Sequence, residues 1–580
     1  VVIIRMSILR KLRGIQMKKK LTVAVLAICA AIVLLIVGLA TGSFDELIGD
    51  SYADVSDYFG TPEAGTYTLV LPDGEQAETK AITIDGQEGY FFPWMEAADL
   101  LNSPLYVDEA NQKGMLARPD EIWYFTPGAT GYDTESGQHV ETTWTALVEQ
   151  NGAWYVNLSY LTQVMNLYLD TEHGDIQTIV VMTDPQAQIA DAASPDEKKG
   201  GIRIRTEDNK KAKVLTVANS VYLLESGEEW SKVMSHEGYV GYAANSELGG
   251  QKALAFAENA PEYTSISRDH KISLGWHQMT YASGNDALGE RLGVATGLNV
   301  ISPTWFTVAD IEGNITSLAS AAYVQQAHDA GVEVWGLIDN FTNKIDMTAF
   351  MSNTAARTNM INQLITQAMA CGMDGINLDF ESIKADQAVY YTELIRELSI
   401  ACRKNGLVFS IDDPVPKFSS HYNRSVQGQV ADYVIIMGYD ENTAGSETAG
   451  SNASLDFVTE GIEQTLKEVP ASKVINAMPF YTRLWIESYD NGALECQTLG
   501  MTDANAYARE KGMDIYWDAA SGQNIAELDT EQNLQKMWLE DDKSLEEKLK
   551  LIDTYQLAGG AFWKLGFESS EIWTLIGQYL

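Results

Sequence analysis

Asp374-Gly-Ile-Asn-Leu-Asp-Phe-Glu381 is the stretch on which the fold turns. Side chains of a strand alternate between its faces, so Asn377, Asp379 and Glu381 share one side and Ile376, Leu378 and Phe380 the other. Burying three polar groups together is costly unless they are hydrogen-bonded or used. A closed barrel of parallel strands gives them a place. The apolar set packs under helices, the polar set points inward, and the strand's C-terminal end, here Glu381, opens on the catalytic face. Crowded carboxyls raise one another's pKa. A protonated Glu beside an ionised Asp is what general acid catalysis needs near neutral pH. A calcium loop is the weaker alternative, since the string lacks the EF-hand spacing and its glycine.

Outward from this strand, apolar runs alternate with helical stretches. Strands are predicted at 271–276, 298–306, 332–338, 375–381, 407–412, 432–440, 473–481 and 559–566. Helices are predicted over Thr316–Asp329, Ala355–Ala370 and Gln387–Asn405, with Gly331 and Gly406 just past two of the ends. Eight strands in βα order predict an α/β fold, a (β/α)8 TIM barrel, over 268–580. No GxGxxG follows the first strand, which removes the main support for a dinucleotide fold. The segment of about 484–540, with Tyr516, Trp517 and Asp518, is longer than one helix needs and predicts a small α+β insertion beside the cleft. For Trp276, Trp305 and Trp335, which lie on early strands, core and cleft positions are equally expected.

Upstream, Leu21–Ala40 carries no charge and is long enough to cross a bilayer as a helix. Arg5, Arg10, Lys11, Arg13, Lys18, Lys19 and Lys20 precede it, and Asp45, Glu46 and Asp50 follow. The positive-inside rule predicts a cytoplasmic segment 1–20, a transmembrane anchor 21–42 and the bulk of the chain at the cell surface. A cleaved signal peptide is the alternative. Residues 50–186 contain a weak repeat, Tyr90–Asn102 and Trp154–Asn166, which predicts a small α+β domain. An Ala/Asp/Pro/Lys-rich linker is expected at 187–200. Short alternating runs at 202–206, 213–217, 220–226, 230–235 and 238–243 predict a small β-barrel over 201–250.

The 580 residues hold 40 basic against 80 acidic side chains, a formal net charge of −40. Such a polyanion repels nucleic acid, and a neutral glycan suits its surface better. Cys29, Cys371, Cys402 and Cys496 show no metal or disulfide spacing. The seven histidines do not cluster, and His139 and His173 stand isolated.

The strand-four string closely resembles the D-G-x-D-x-D-x-E signature of glycoside hydrolase family 18. Met437-Gly-Tyr-Asp440, Met478-Pro-Phe-Tyr-Thr-Arg483 and Trp563 resemble further motifs of that family, in the same order. Asn377 departs from the pattern, standing where many chitinases have Asp. An amide cannot titrate, and its presence resembles the spore-cortex and peptidoglycan-lytic branch. The resemblance implies a retaining, substrate-assisted glycosidase acting on an N-acetylated polysaccharide, peptidoglycan or chitin, at the cell wall, with no metal or cofactor. It implies Glu381 as acid and base, Asp379 orienting the substrate's acetamido group, and Tyr439 bonding that group. Trp563 is the implied sugar platform, and Asp374, Asn377, Met437, Asp440, Tyr481 and Arg483 are candidate substrate contacts. A non-catalytic glycan-binding surface protein is the alternative of a different class, and the presence of both Asp379 and Glu381 argues against it. The 50–186 segment resembles the copper-amine-oxidase N-terminal-like domain, without a copper site. Trp230-Ser-Lys-Val and Glu237–Tyr242 resemble a bacterial Src-homology-3-like domain.

Overall fold

Eight apolar strands alternate with helices in the second half of the chain, and in the computed structural model they close into a ring. The structure describes residues 50–171, 173–194, 201–256, 261–341 and 345–580. The expected cytoplasmic segment and transmembrane anchor lie outside the described residues. Among the described residues, no helix is long and apolar enough to cross a membrane.

The ring comprises β1 (Ile272–His277), β2 (Val300–Val308), β3 (Glu333–Asp339), β4 (Gly375–Asp379), β5 (Val408–Pro414), β6 (Tyr433–Met437), β7 (Val474–Pro479) and β8 (Gly559–Trp563). All neighbours pair in parallel, and β8 pairs with β1 to close the barrel. The expected TIM barrel is present. Its floor is aromatic. Trp335 stacks on Tyr433 with ring centroids 5.5 Å apart. A Cβ at Gly375 would lie 2.9 Å from the Trp335 ring, so only glycine fits at the start of β4. The closing seam is as tight, since a Cβ at Gly559 would lie 2.1 Å from the Ile272 carbonyl oxygen.

Two helices flank β4 in the chain. α1 (Thr354–Cys371) precedes it, starting at Asn353, whose side chain accepts from the Ala355 and Ala356 amides, and ending at Gly372 with φ 75°. α2 (Ala388–Lys404) comes after it. The helix predicted from Thr316 begins later, at Ala321, capped by Ser320. Residues Ile315–Ser317 pair instead with the end of β2 as a hairpin. The insertion is a five-stranded antiparallel sheet with one helix, Met501–Lys511, and its first strand, Tyr481–Ser488, continues directly from β7.

The chain divides into two compact units, one of residues 81–167 with 257–580, the other of residues up to 80 with 168–256. The segment expected as one domain at 50–186 contributes to both units, and its seven-stranded and five-stranded sheets both lie wholly within those bounds. Strand Thr66–Val70 pairs in parallel with Thr178–Met182 in one unit, while the Tyr106 side chain of the other unit reaches the barrel, its hydroxyl donating to the Ser352 carbonyl at 3.1 Å. The expected linker 187–200 is corrected. Gln188–Ala192 is a strand between Ser220–Glu225 and Leu248–Ala253. Ala190 is buried beside Ile202, Ile204 and Val221; its small side chain carries too little hydrophobicity for the alternation to stand out. The five short strands expected next occur at Ile202–Arg205, Val214–Ala218, Ser220–Glu225, Trp230–Met234 and Val240–Ala244, in one antiparallel sheet.

Candidate active site

Period-two alternation along β4 sends three polar side chains into the barrel, and the structure stacks them at increasing height. Gly375 lies on the floor, level with Trp335. Asn377 comes next and is fully buried. Its Oδ1 accepts from Trp276 Nε1 at 3.0 Å and Ser302 Oγ at 2.9 Å. Its Nδ2 donates to Ser410 Oγ at 3.1 Å and Asp412 Oδ1 at 2.7 Å. Four bonds to four side chains satisfy the amide completely. An aspartate at 377 would have no N–H to offer Asp412. The substrate contact expected of Asn377 is corrected: it locks the layer beneath the site.

Above it lies Asp379, only 4% exposed, with Oδ1 buried and unbonded. Asp339 ends β3 at the same height, and Asp412 lies within the buried run of β5. Burial drives the Asp379 carboxyl well above the usual range, and the charges of Asp412, Glu381 and Asp339 add to it. Asp412 is likewise pushed up, first by burial, with Asn377 opposing and Asp413 and Glu381 reinforcing. Asp339 is raised by burial. Among the described residues no Lys or Arg forms an ion pair with Asp339, Asp379, Glu381 or Asp412. Four acids with raised pKa and no paired cation disfavour one another's ionisation.

Glu381 sits at the top, half-buried. Its backbone is clamped by one side chain: the Glu381 amide donates to Asn340 Oδ1 at 3.0 Å, and Asn340 Nδ2 donates to the Glu381 carbonyl at 2.9 Å. Ser382 then takes a left-handed turn at φ 56°, which ends the strand. Burial raises the Glu381 pKa, and Asp440 and Asp339 raise it further. A half-exposed acid of raised pKa at the mouth of a barrel is equipped to give a proton to a bound ligand.

β6 and β7 supply the opposite wall. Tyr439 is buried just past β6, its ring centroid 6.2 Å from that of Tyr481. Asp440 adopts φ 61° and accepts from Tyr481 Oη at 2.6 Å and Arg483 Nη2 at 2.5 Å. Both donors lie on the strand that leads into the insertion, so the lobe grips the loop after β6. Met437 is buried at the end of β6. Trp563 ends β8 half-buried, 5.9 Å from Trp276 between ring centroids. Of the three early tryptophans, Trp276, Trp305 and Trp335 are all core.

The structure thus brings Asp379, Glu381, Met437, Tyr439, Asp440, Tyr481, Arg483 and Trp563 to the C-terminal mouth. Asp374 is the exception and is corrected. It precedes β4 at the opposite end of the barrel, where its Oδ2 accepts from the Val334 amide and bonds His328 Nε2, each at 2.8 Å. Its part is to tie β4 to its neighbours. Sequence reading missed Asp339, Asn340 and Asp412. Asp412 closes the predicted strand 407–412 and Asp339 immediately follows 332–338, so an acid at a predicted strand end was the available signal.

Residues 306–568 match the family model described as glycosyl hydrolases family 18. The chain is 26% identical over 298 residues to a Bacillus subtilis (strain 168) protein described as uncharacterized glycosylase YvbX, covering 48% of this chain and 84% of that one. It is 28% identical over 226 residues to the putative sporulation-specific glycosylase YdhD of the same organism, covering 37% of this chain and 52% of the relative. With the cortical fragment-lytic enzyme of Bacillus subtilis it shares 24% over 237 residues, 39% of this chain and 54% of that enzyme. The chain thus spans about half the length of the last two. The match covers β3 to β8, every strand that carries a mouth carboxyl, and the barrel is similar to the glycosyl hydrolases of family 18.

Proposed function

We propose that the barrel cleaves β-1,4-linked N-acetylglucosamine glycans with retention, and that its substrate is peptidoglycan. The observation that carries this reading is the pair Asp379 and Glu381: one acid sealed in the barrel, the next half-exposed above it, with no paired cation beside either among the described residues. Glu381 protonates the departing glycosidic oxygen and later takes a proton from water. The substrate's own acetamido oxygen attacks the anomeric carbon, so no second carboxylate nucleophile is required. Asp379 accepts the acetamido N–H, and as positive charge develops on the ring formed there it ionises, passing its proton toward Asp412. The Asn377 amide cannot hold that proton; Asp412, bonded to Asn377 and raised in pKa, can. Tyr439 bonds the acetamido group and Trp563 carries the sugar's apolar face. Asp440, Tyr481 and Arg483 form the wall that the next sugar meets.

The names of two relatives, a cortical fragment-lytic enzyme and a sporulation-specific glycosylase, support a cell-wall glycan over chitin. An anchor at 21–42 would hold the enzyme at the bacterial surface, and the Src-homology-3-like and copper-amine-oxidase N-terminal-like segments would serve as wall-facing modules. Mass spectrometry of products from purified peptidoglycan and from chitin oligomers tests the reading. Muropeptides with a reducing N-acetylglucosamine end are expected. Cleavage of chitin alone would move the substrate, and cleavage of neither would remove the proposal.

A further inference from the structure

Charge around the barrel mouth is divided. The acids lie on β3 to β6 and just beyond. At the seam between β8 and β1 the sign reverses. Lys564 directly follows the platform residue Trp563, and its ammonium bonds a neutral group, Gln278 Oε1, just past β1. It also lies 4.3 Å from the centroid of the Phe567 ring. Arg291, on the helix Leu288–Val294 that follows β1, lies against Gly566. Its Nε–H is buried and has no acceptor among the described residues. The nearest acid to its guanidinium is Glu290, its own neighbour in sequence, at 3.6 Å. Glu568 is occupied at the Gly566 amide and pairs with neither cation.

Burial and the Arg291 charge together lower the Lys564 pKa, as expected of a cation lacking a counter-charge. His277, below them, is held neutral by burial, with a pKa of about 4, and adds no charge. The contrast with Arg483 is direct, since that guanidinium is neutralised by Asp440. In a chain with twice as many acids as bases, two neighbouring cations without a close acidic partner across the chain are out of pattern.

We propose that Lys564 and Arg291 form a carboxylate-recognition seam beside the sugar platform, selecting glycans whose sugars carry an acidic substituent over neutral chains of the same linkage. The proposal rests on the glycosidase reading above and deepens it. A carboxylate on an ether or peptide substituent of the sugar at Trp563 would meet both cations, and a neutral chitin chain would leave them unanswered.

The test compares kcat/KM on an acid-bearing N-acetylated glycan, purified peptidoglycan strands, with kcat/KM on neutral chitin oligomers, in the full chain. In K564M the ratio of the two is expected to fall about tenfold. In K564R it is expected to stay near the wild-type value, and in K564E to fall further than in K564M. Raising the salt concentration should shrink the wild-type ratio and leave that of K564M nearly flat. An unchanged ratio in K564M and K564E would overturn the seam while leaving the glycosidase reading intact. Equal loss on both substrates would make Lys564 a structural residue and likewise overturn it. A wild type that cleaves only the neutral chain, or neither glycan, would end this proposal and the peptidoglycan reading together.

Discussion

Among the groups of buried acids in the barrel unit, two are built in opposite ways. Between α1 and α2, Glu393 and Glu397 are buried with Arg357 and Arg396. Arg357 forms a fork on Glu397, Nε to Oε2 at 2.8 Å and Nη2 to Oε1 at 2.7 Å, and its Nη1 donates to the Met351 carbonyl at 2.6 Å. Arg396 stands 3.5 Å from Glu393. Two cations answer two acids. Inside the barrel, Asp339, Asp379, Asp412 and Glu381 have none among the described residues. The first group spends its charge on holding helices together. The second keeps charge in reserve, and only a substrate that takes a proton or brings a positive centre can use it. Burial of acids is therefore no guide to function until their partners are counted.

The sharpest way to break this contrast is to remove one member from each group. Glu381→Gln should lower kcat at least about 10³-fold with the fold intact, and Asp379→Asn about 10²-fold. Both follow from steady-state turnover with thermal unfolding as control, and near-normal turnover in either would place the acid elsewhere. Arg357→Met should do the reverse. Stranding Glu397 costs about 3–5 kcal/mol of stability, read by denaturant unfolding, while turnover per folded molecule persists.

The smallest effect sharpens the comparison within the helix layer. The Glu393 pKa is raised to about 7, chiefly by burial and then by Glu397, against the opposing pull of Arg396 and Arg357. Its folded pKa exceeds the unfolded one, so the folded state holds the proton more tightly. That stability is fully present below about pH 4.5 and is lost as pH rises through about 7. Glu393→Gln should flatten this decline in urea unfolding measured across that range. An unchanged slope would mean that Glu393 stays ionised beside Arg396.

Much of this was legible beforehand because period two is strict. Once Gly375–Asp379 is a strand, Asn377, Asp379 and Glu381 must share a face, and the end that opens is fixed by chain direction. What sequence could not give was height and company. Asp374 belongs to the same signature as Glu381, yet five residues of strand carry it to the other end of the barrel, and there a backbone amide and His328 consume its charge. Asp412 and Asp339 come from neighbouring strands, so their proximity to Asp379 depends on register, which no local pattern records. Arg291 and Lys564 are brought near one seam by partners 286 residues apart in sequence, Gln278 and Lys564. The pairing of Thr66–Val70 with Thr178–Met182 is long-range in the same way, and it joins the two ends of the segment 50–186.

The glycine at the start of β8 bears on how the enzyme is made. Until that strand arrives, β1 and β7 each present a bare row of backbone donors and acceptors to other chains. Their mutual partner lies nearly the whole barrel's length of polypeptide away from β1, so ring completion is a late and entropically costly event. With the Ile272 oxygen 2.1 Å from where a methyl at 559 would stand, the slot admits a bare backbone and nothing larger. Refolding yield from denaturant, rather than the melting point of the finished enzyme, is where a fault at this closure would register.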